Sequence, residues 1–381
     1  MRESRRPKPL YLIEKRKELL EAFKEDLPEK SLKRAKKDPL TRRSPRWCGI
    51  TIHVTINCPF ACAYCYIESM GFSFSDPKPY PLTGKELVFA LLNNPAFFPT
   101  RYGTLLAMGA VSEPLIFMNK FLEYVESLSE LGNPIQFSTK QFISSHLARK
   151  LRNIVENKNI SLSPLITVIT INKADILEKR APKPEKRFDS MKNLADEGFK
   201  PVLFLRPIIP GINDMEINTI IKKSKDSGAI GVVVGGFRAT KSILIKLDSL
   251  GLDTSEIRRR VKIIKEKQIS VPFPEKARIL NSARDIGIIP WATACCANSY
   301  TAKIPCPSVC FIDGPCTKCP NNCDYKRDSA DVTELRKALG ILNIDAKIRD
   351  RTIVIKSRPF RGTDFAVRVL SRRKVINYRK K

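Results

Sequence analysis

The chain has 381 residues, long enough for a large core and more than one domain. No run of about 18 apolar residues occurs, so no membrane span is expected, and the charged start MRESRRPKPLYLIEKRKELL excludes an apolar signal core. The 68 Lys+Arg against 39 Asp+Glu leave a formal charge of +29, which points to a polyanionic partner. Eleven cysteines in a non-secreted, cytoplasmic chain favour metal or catalytic roles over disulfides.

Residues 1–47 form a basic extension of net +8. Tyr11 to Lys24 reads as an amphipathic helix with Leu12, Leu19, Leu20 and Phe23 on one face. Lys30 to Arg46, broken by Pro39 and Pro45, reads as an arm or loop tracking phosphates. Trp47 to Ile56 alternates apolar and polar residues as a first strand. Thr83 caps a helix over Gly84 to Asn93, and a short strand from Thr104 to Met108 leads into Gly109-Ala-Val-Ser-Glu113. Helices follow over Phe117–Leu131, Ile143–Val155 and the segment ending at Asp196, with a last one over Met215–Ser227. Strands are expected at Pro134–Thr139, Leu165–Ile171, Val202–Arg206 and Ile230–Gly235. Six strand–helix units at this spacing imply a parallel sheet over residues 48–245, with active-site loops at the strands' carboxyl ends.

The first of those loops carries Cys58-Pro-Phe-Ala-Cys62-Ala-Tyr-Cys65, a C-x3-C-x2-C array. Three thiolates this close suit three irons of a [4Fe-4S] cluster and leave the fourth iron open for a small molecule. A zinc knuckle is the alternative, but zinc prefers paired C-x2-C arms and four ligands.

This array, with Tyr64 before the third cysteine, resembles the signature of the radical S-adenosylmethionine (radical SAM) superfamily, over roughly Cys48 to Phe237. The resemblance implies a partial (β/α)6 TIM-like barrel. It also implies a [4Fe-4S] cluster on Cys58, Cys62 and Cys65, where S-adenosylmethionine is cleaved to a 5′-deoxyadenosyl radical with one electron from an external donor. Among cofactor contacts it implies Tyr64 near the adenine, Glu113 at the amino group, Thr170 at the ribose or carboxylate, and Arg206 at the carboxylate. Glu113 matches the acid of the family's Gly-Gly-Glu turn, although the second glycine is missing here. The loop KRAPKPEKR and the stretch RPIIPGIND resemble the spore photoproduct lyase-like branch, whose members often act on nucleic acids. That lyase uses a hydrogen-donating cysteine some way after the cluster motif. No cysteine lies between Tyr66 and Ala294 here, so dimer repair by that route is not carried over.

Residues 246–327 read as a helical linker and a cysteine-rich segment. Seven cysteines from Cys295 to Cys323, interleaved with proline and glycine, need a metal to organise them. Cys310, Cys316, Cys319 and Cys323 suit an auxiliary iron–sulfur cluster, with structural zinc as the alternative. Cys295, Cys296 and Tyr300 are candidate radical relays, and Cys48 reads as core. Residues 328–381 form a small basic α+β extension, with a helix over Asp331–Gly340 capped by Thr333 and a hairpin about Asp350-Arg351. From Ala346 onward its net charge is +11, and Phe360, Phe365 and Tyr378 interleave with the charges in a pattern suited to nucleic acid.

The expected function is a radical SAM enzyme acting on nucleic acid, RNA ahead of DNA. The alternatives are a peptide- or protein-modifying radical SAM enzyme and a non-catalytic iron–sulfur nucleic-acid-binding protein.

Overall fold

The structure, a computed structural model, describes residues 7–46, 48–307, 310, 329–350 and 352–377. Among these residues, one parallel sheet holds seven strands: Ile50–Ile52, Leu106–Met108, Ile135–Thr139, Leu162–Thr167, Val202–Ile208, Gly231–Gly236 and Ile289–Trp291. Their spatial order is their chain order, and every neighbouring pair is parallel. Each crossover therefore steps to the next strand, and the sheet curls with its helices outside. The first and last strands do not pair with each other, so the barrel is open between them. The central strands are covered on both faces, as in Leu162–Thr167, buried at all six positions although it includes Ser163 and Thr167.

Six strands are expected from the sequence and seven are found. The seventh, Ile289–Trp291, sits in the segment read as a helical linker. It is short and carries Pro290, which a strand tolerates at a sheet edge where no ladder partner is needed on one side. Its Trp291 lies across Gly231, where an added Cβ would come within 2.0 Å of the indole. Inside the barrel the helix Ala294–Thr301 packs against the fourth, sixth and seventh strands. Gln136 of the third strand donates to the Ala294 carbonyl at 2.7 Å.

The amino-terminal segment departs from its expected form. Lys30 to Arg46 is not an extended arm: Glu29–Lys37 is α-helical, and Pro39–Arg42 forms a 3-10 turn capped by Asp38. Lys and Arg are good helix formers, and Glu29 pairs with Lys33 one turn on. The preceding helix, Pro9–Asp26, buries Leu12 and Ile13 against the carboxyl-terminal unit. That unit holds the helix Val332–Ile341, the expected hairpin Ala346–Ile348/Thr352–Ile355, an unforeseen helix Thr363–Ser371 and a strand Lys374–Asn377 parallel to Thr352–Ile355. Asp331, not Thr333, caps its first helix by accepting from the Glu334 N–H at 2.9 Å. Phe365 is core there, not a stacking surface, and Tyr378 lies outside the described residues.

Candidate active site

The cysteine loop leaves the first strand through two left-handed residues, Asn57 (φ 66°) and Ala61 (φ 48°). Asn57 suits that conformation, and its side chain also pins the next connection by accepting from Ser73 N–H at 2.9 Å. The loop backbone is held by three bonds: Cys58 N–H to Ser73 at 3.0 Å, Ala63 N–H to Leu177 at 2.8 Å and Cys65 N–H to Cys62 at 3.0 Å. The thiols of Cys58, Cys62 and Cys65 line one open cleft at the carboxyl ends of the strands.

Burial pushes the Cys62 thiol up to about 12 and also raises Cys58 and Cys65. Protein surroundings alone thus keep these groups protonated, and the thiolates a cluster needs are stabilised by metal. Among the described residues no three Cys, His, Asp or Glu side chains close on a point that a single ion would fill. Three thiols spread around one cleft fit a multi-iron group better than a lone ion.

Glu113 follows the second strand and faces the same cleft. The turn depends on Gly109 (φ 84°), where a Cβ would lie 2.3 Å from the Ser138 carbonyl. The Glu113 carboxylate accepts from Leu115 N–H at 3.2 Å, the Thr139 hydroxyl at 2.5 Å and Lys140 N–H at 3.0 Å. Burial nevertheless holds its carboxyl above the ordinary carboxylate range. A cationic partner would offset the cost of burying that charge.

Tyr64 lines the cleft, and its hydroxyl donates to Glu178. Arg187 closes on the other Glu178 oxygen and also donates to the carbonyls of Thr167 at 3.1 Å and Pro182 at 2.8 Å. Glu178 and Arg187 are 1% and 0% exposed, so this is a fully buried ion pair. Lys140 Nζ approaches the same carboxylate at 3.8 Å and lies 5.6 Å from the Tyr64 ring centre. Glu178 and Arg187 flank the KRAP loop, and no local pattern marks them as a pair, so sequence reading missed them.

Arg206, on the fifth strand, lines the cleft with its aliphatic stem against Gly235, where a Cβ would clash at 2.5 Å. Among the described residues it has no hydrogen-bond or carboxylate partner. Arg238 lines the cleft over the Tyr66 ring at 5.7 Å, and Lys246 sits 5.1 Å from the Phe74 ring. Thr170 is placed differently from its expected position. The fourth strand ends at Thr167, so Thr170 lies beyond it, fully buried and bonded to Glu216 at 2.5 Å. The threonine of that strand that faces the cleft is Thr167.

Cys295, Cys296 and Tyr300 do not line the cleft. They lie on the helix inside the barrel, where Cys295 and Cys296 are buried and Tyr300 meets Trp291 at 5.3 Å between ring centres. Cys310 lies beside Cys306, whose N–H donates to its sulfur at 3.1 Å. Cys316, Cys319 and Cys323 lie outside the described residues.

Residues 52–223 match the family described as the Radical SAM superfamily. That span starts within the first strand and takes in the cysteine array, Glu113 and Arg206. Solved structures of spore photoproduct lyase share the fold. One, complexed with dinucleoside spore photoproduct, is 15% identical at a TM-score of 0.52, covering 67% of this chain and 79% of that one. A mutant form with bound AdoMet and dinucleoside spore photoproduct is 13% identical at 0.52, covering 68% and 81%. SuiB of Streptococcus suis bound to S-adenosylmethionine is 13% identical at 0.39, covering 66% and 51%, too distant to carry an argument. No curated protein matches the chain. Residues 52–223 of this chain are thus a Radical SAM superfamily domain, an enzyme's domain, with the three thiols of the cysteine array inside it.

Proposed function

We propose that this enzyme acts on nucleic acid, using a [4Fe-4S] cluster held by Cys58, Cys62 and Cys65. With S-adenosylmethionine bound, such a cluster supplies a carbon-centred radical that takes a hydrogen atom from substrate. Glu113 receives the cofactor's amino group, Arg206 its carboxylate, and Tyr64, fixed through Glu178, offers a face toward the adenine.

The observation that carries the substrate class is the lining itself. Lys140, Arg206 and Arg238 face the cleft against Glu113 as its one acid, and Phe60, Tyr64, Tyr66, Phe74, Phe204 and Phe237 alternate with them. Cations attract phosphate, and aromatic faces stack bases without regard to sequence. Chain charge supports the same reading, and the spore photoproduct lyase structures hold a dinucleoside lesion.

Anaerobic reconstitution with iron, sulfide, reductant and S-adenosylmethionine tests the proposal, with 5′-deoxyadenosine as the readout. Formation should depend on Cys58, Cys62 and Cys65 together, and cellular RNA or DNA fractions should stimulate it. Stimulation by a peptide fraction and by neither nucleic acid would move the substrate class to protein.

A further inference from the structure

Five cysteines absent from the cleft converge inside the barrel. Cys48 precedes the first strand, Cys295 and Cys296 open the interior helix, and Cys306 and Cys310 follow it. Separated by up to 262 positions in sequence, they share one apolar cluster with Leu105, Leu165, Val202, Val233 and Trp291. The Cys295 thiol is at the centre, in hydrogen-bonding contact with those of Cys48, Cys296 and Cys306. Thr293 Oγ1 bridges Cys295 Sγ at 3.0 Å and Cys296 Sγ at 3.2 Å. The Cys306 N–H points at Cys310 Sγ, a bond suited to a sulfur that carries negative charge.

Two cations face this nest. Arg206 reaches Cys48 electrostatically and Lys276 reaches Cys296. Lys276 Nζ is itself anchored on the Ala292 carbonyl at 2.8 Å. Neutral thiols in an apolar core have no need of two cations, whereas a group of thiolates around a metal is anionic and does.

We propose that Cys48, Cys295, Cys296 and Cys306 form a second metal centre, of the soft, thiolate-binding class that includes zinc and iron. Four thiols are the full complement for such a site. As the side chains stand, no three of these thiols close on a point that a single ion would fill, so metal binding requires Cys295, whose thiol contacts the other three, to turn to another rotamer. Cys310 lies next to Cys306 as the alternate fourth ligand. The centre lies behind Phe204, which both lines the catalytic cleft and packs on the nest. None of its ligands belongs to the catalytic array, so it stands or falls independently of the substrate reading.

Metal analysis of the full chain tests this in a Cys58→Ala/Cys62→Ala/Cys65→Ala background, which removes the catalytic cluster. The protein should retain tightly bound zinc, or iron with sulfide. Adding Cys48→Ser and Cys295→Ser should abolish that metal. Cobalt(II) added to the metal-free background protein should give thiolate-to-cobalt absorption, lost in the same variants. Cys48→Ser alone, at a half-buried position, guards against misfolding. Circular dichroism should show it folded, and its retention of metal against a chelator should fall at least tenfold. Absence of metal from the background protein would overturn the proposal. So would metal that persists unchanged without Cys48 and Cys295, which would assign it to the Cys310–Cys323 segment.

Discussion

The Tyr64 hydroxyl donates a hydrogen bond to Glu178, a carboxylate 114 residues further along the chain. The residue before the third cluster cysteine is thereby tied to the segment after the fourth strand, and Arg187 neutralises the carboxylate from the following helix.

This buried triad makes Arg187 a sensitive position. Arg187→Met leaves the buried Glu178 charge with only Lys140, 3.8 Å away, to balance it, and breaking such a buried pair costs about 3–5 kcal/mol. The double variant Arg187→Met/Glu178→Gln removes both charges and should recover most of that loss. Denaturant unfolding checks both values. A single variant within about 1 kcal/mol of the parent would mean that Lys140 alone neutralises the carboxylate.

Glu113→Gln keeps the shape of the side chain and removes its charge. Losing a charge-assisted bond of about 1.5–3 kcal/mol corresponds to about 10–100-fold weaker binding of S-adenosylmethionine. Iron content should stay at the parent level. Equilibrium dialysis showing parent-like affinity would remove Glu113 from the cofactor site.

Grip on nucleic acid should reside in exposed cations beyond Ala346 that make no ion pair among the described residues: Lys347, Arg349, Arg358 and Arg361. Others in the basic segments are already engaged. Arg16 donates to the carbonyls of Asn94, Pro95 and Phe97, and Arg373 to those of Asp350 and Ala330. Changing these four residues to Gln should flatten the log–log salt dependence of binding by up to about 3.6, at about 0.7–0.9 per phosphate contact. Cofactor cleavage without substrate should be unaffected. A salt slope identical to the parent would place the grip elsewhere. Deleting the unit is a poor test, because it would strip the partners of Leu12 and Ile13.

His53, packed near Phe72 and Tyr80, is held down to about 4 by burial and by the Arg43 charge. The unfolded chain takes up its proton near pH 6.5, before the folded one does, so stability falls as pH drops from about 6.5 to 4. With partial exposure discounted, the loss is about 1–3 kcal/mol. His53→Gln should flatten the melting temperature between pH 7 and 4.5. An unaltered acid-side slope would assign the effect to other groups.

The meeting of Cys58, Cys62 and Cys65 in one cleft was readable in the sequence because their spacing is local: three thiols within eight residues, delivered by a strand. That Glu113 faces the same cleft followed from its place after the second strand. Thr170 was not, and Pro164 explains why. The true strand, Leu162–Thr167, carries that proline at a central position, paired with Phe137, where ladder rules argue against one. The β-branched run beyond it therefore looks like the strand, three residues late. Pro290 hides the seventh strand in the same way. The Glu178–Arg187 pair and the interior thiol nest are invisible for a different reason. Their members meet only once the barrel has closed, and spacing along the chain carries no trace of it.

The shared core of the two ends has a consequence for synthesis. Leu12 and Ile13 pack with Leu335, Phe365 and Leu370, so this stretch of the first helix, unlike its Arg16 and Phe23 side, meets these partners only after nearly the whole chain has left the ribosome. At roughly 5–20 residues per second, some 350 residues take on the order of 20–70 s. Through that interval the helix presents an uncovered apolar stripe to the cell. Nascent-chain chaperones should bind this enzyme longest at its beginning, and release it at its end.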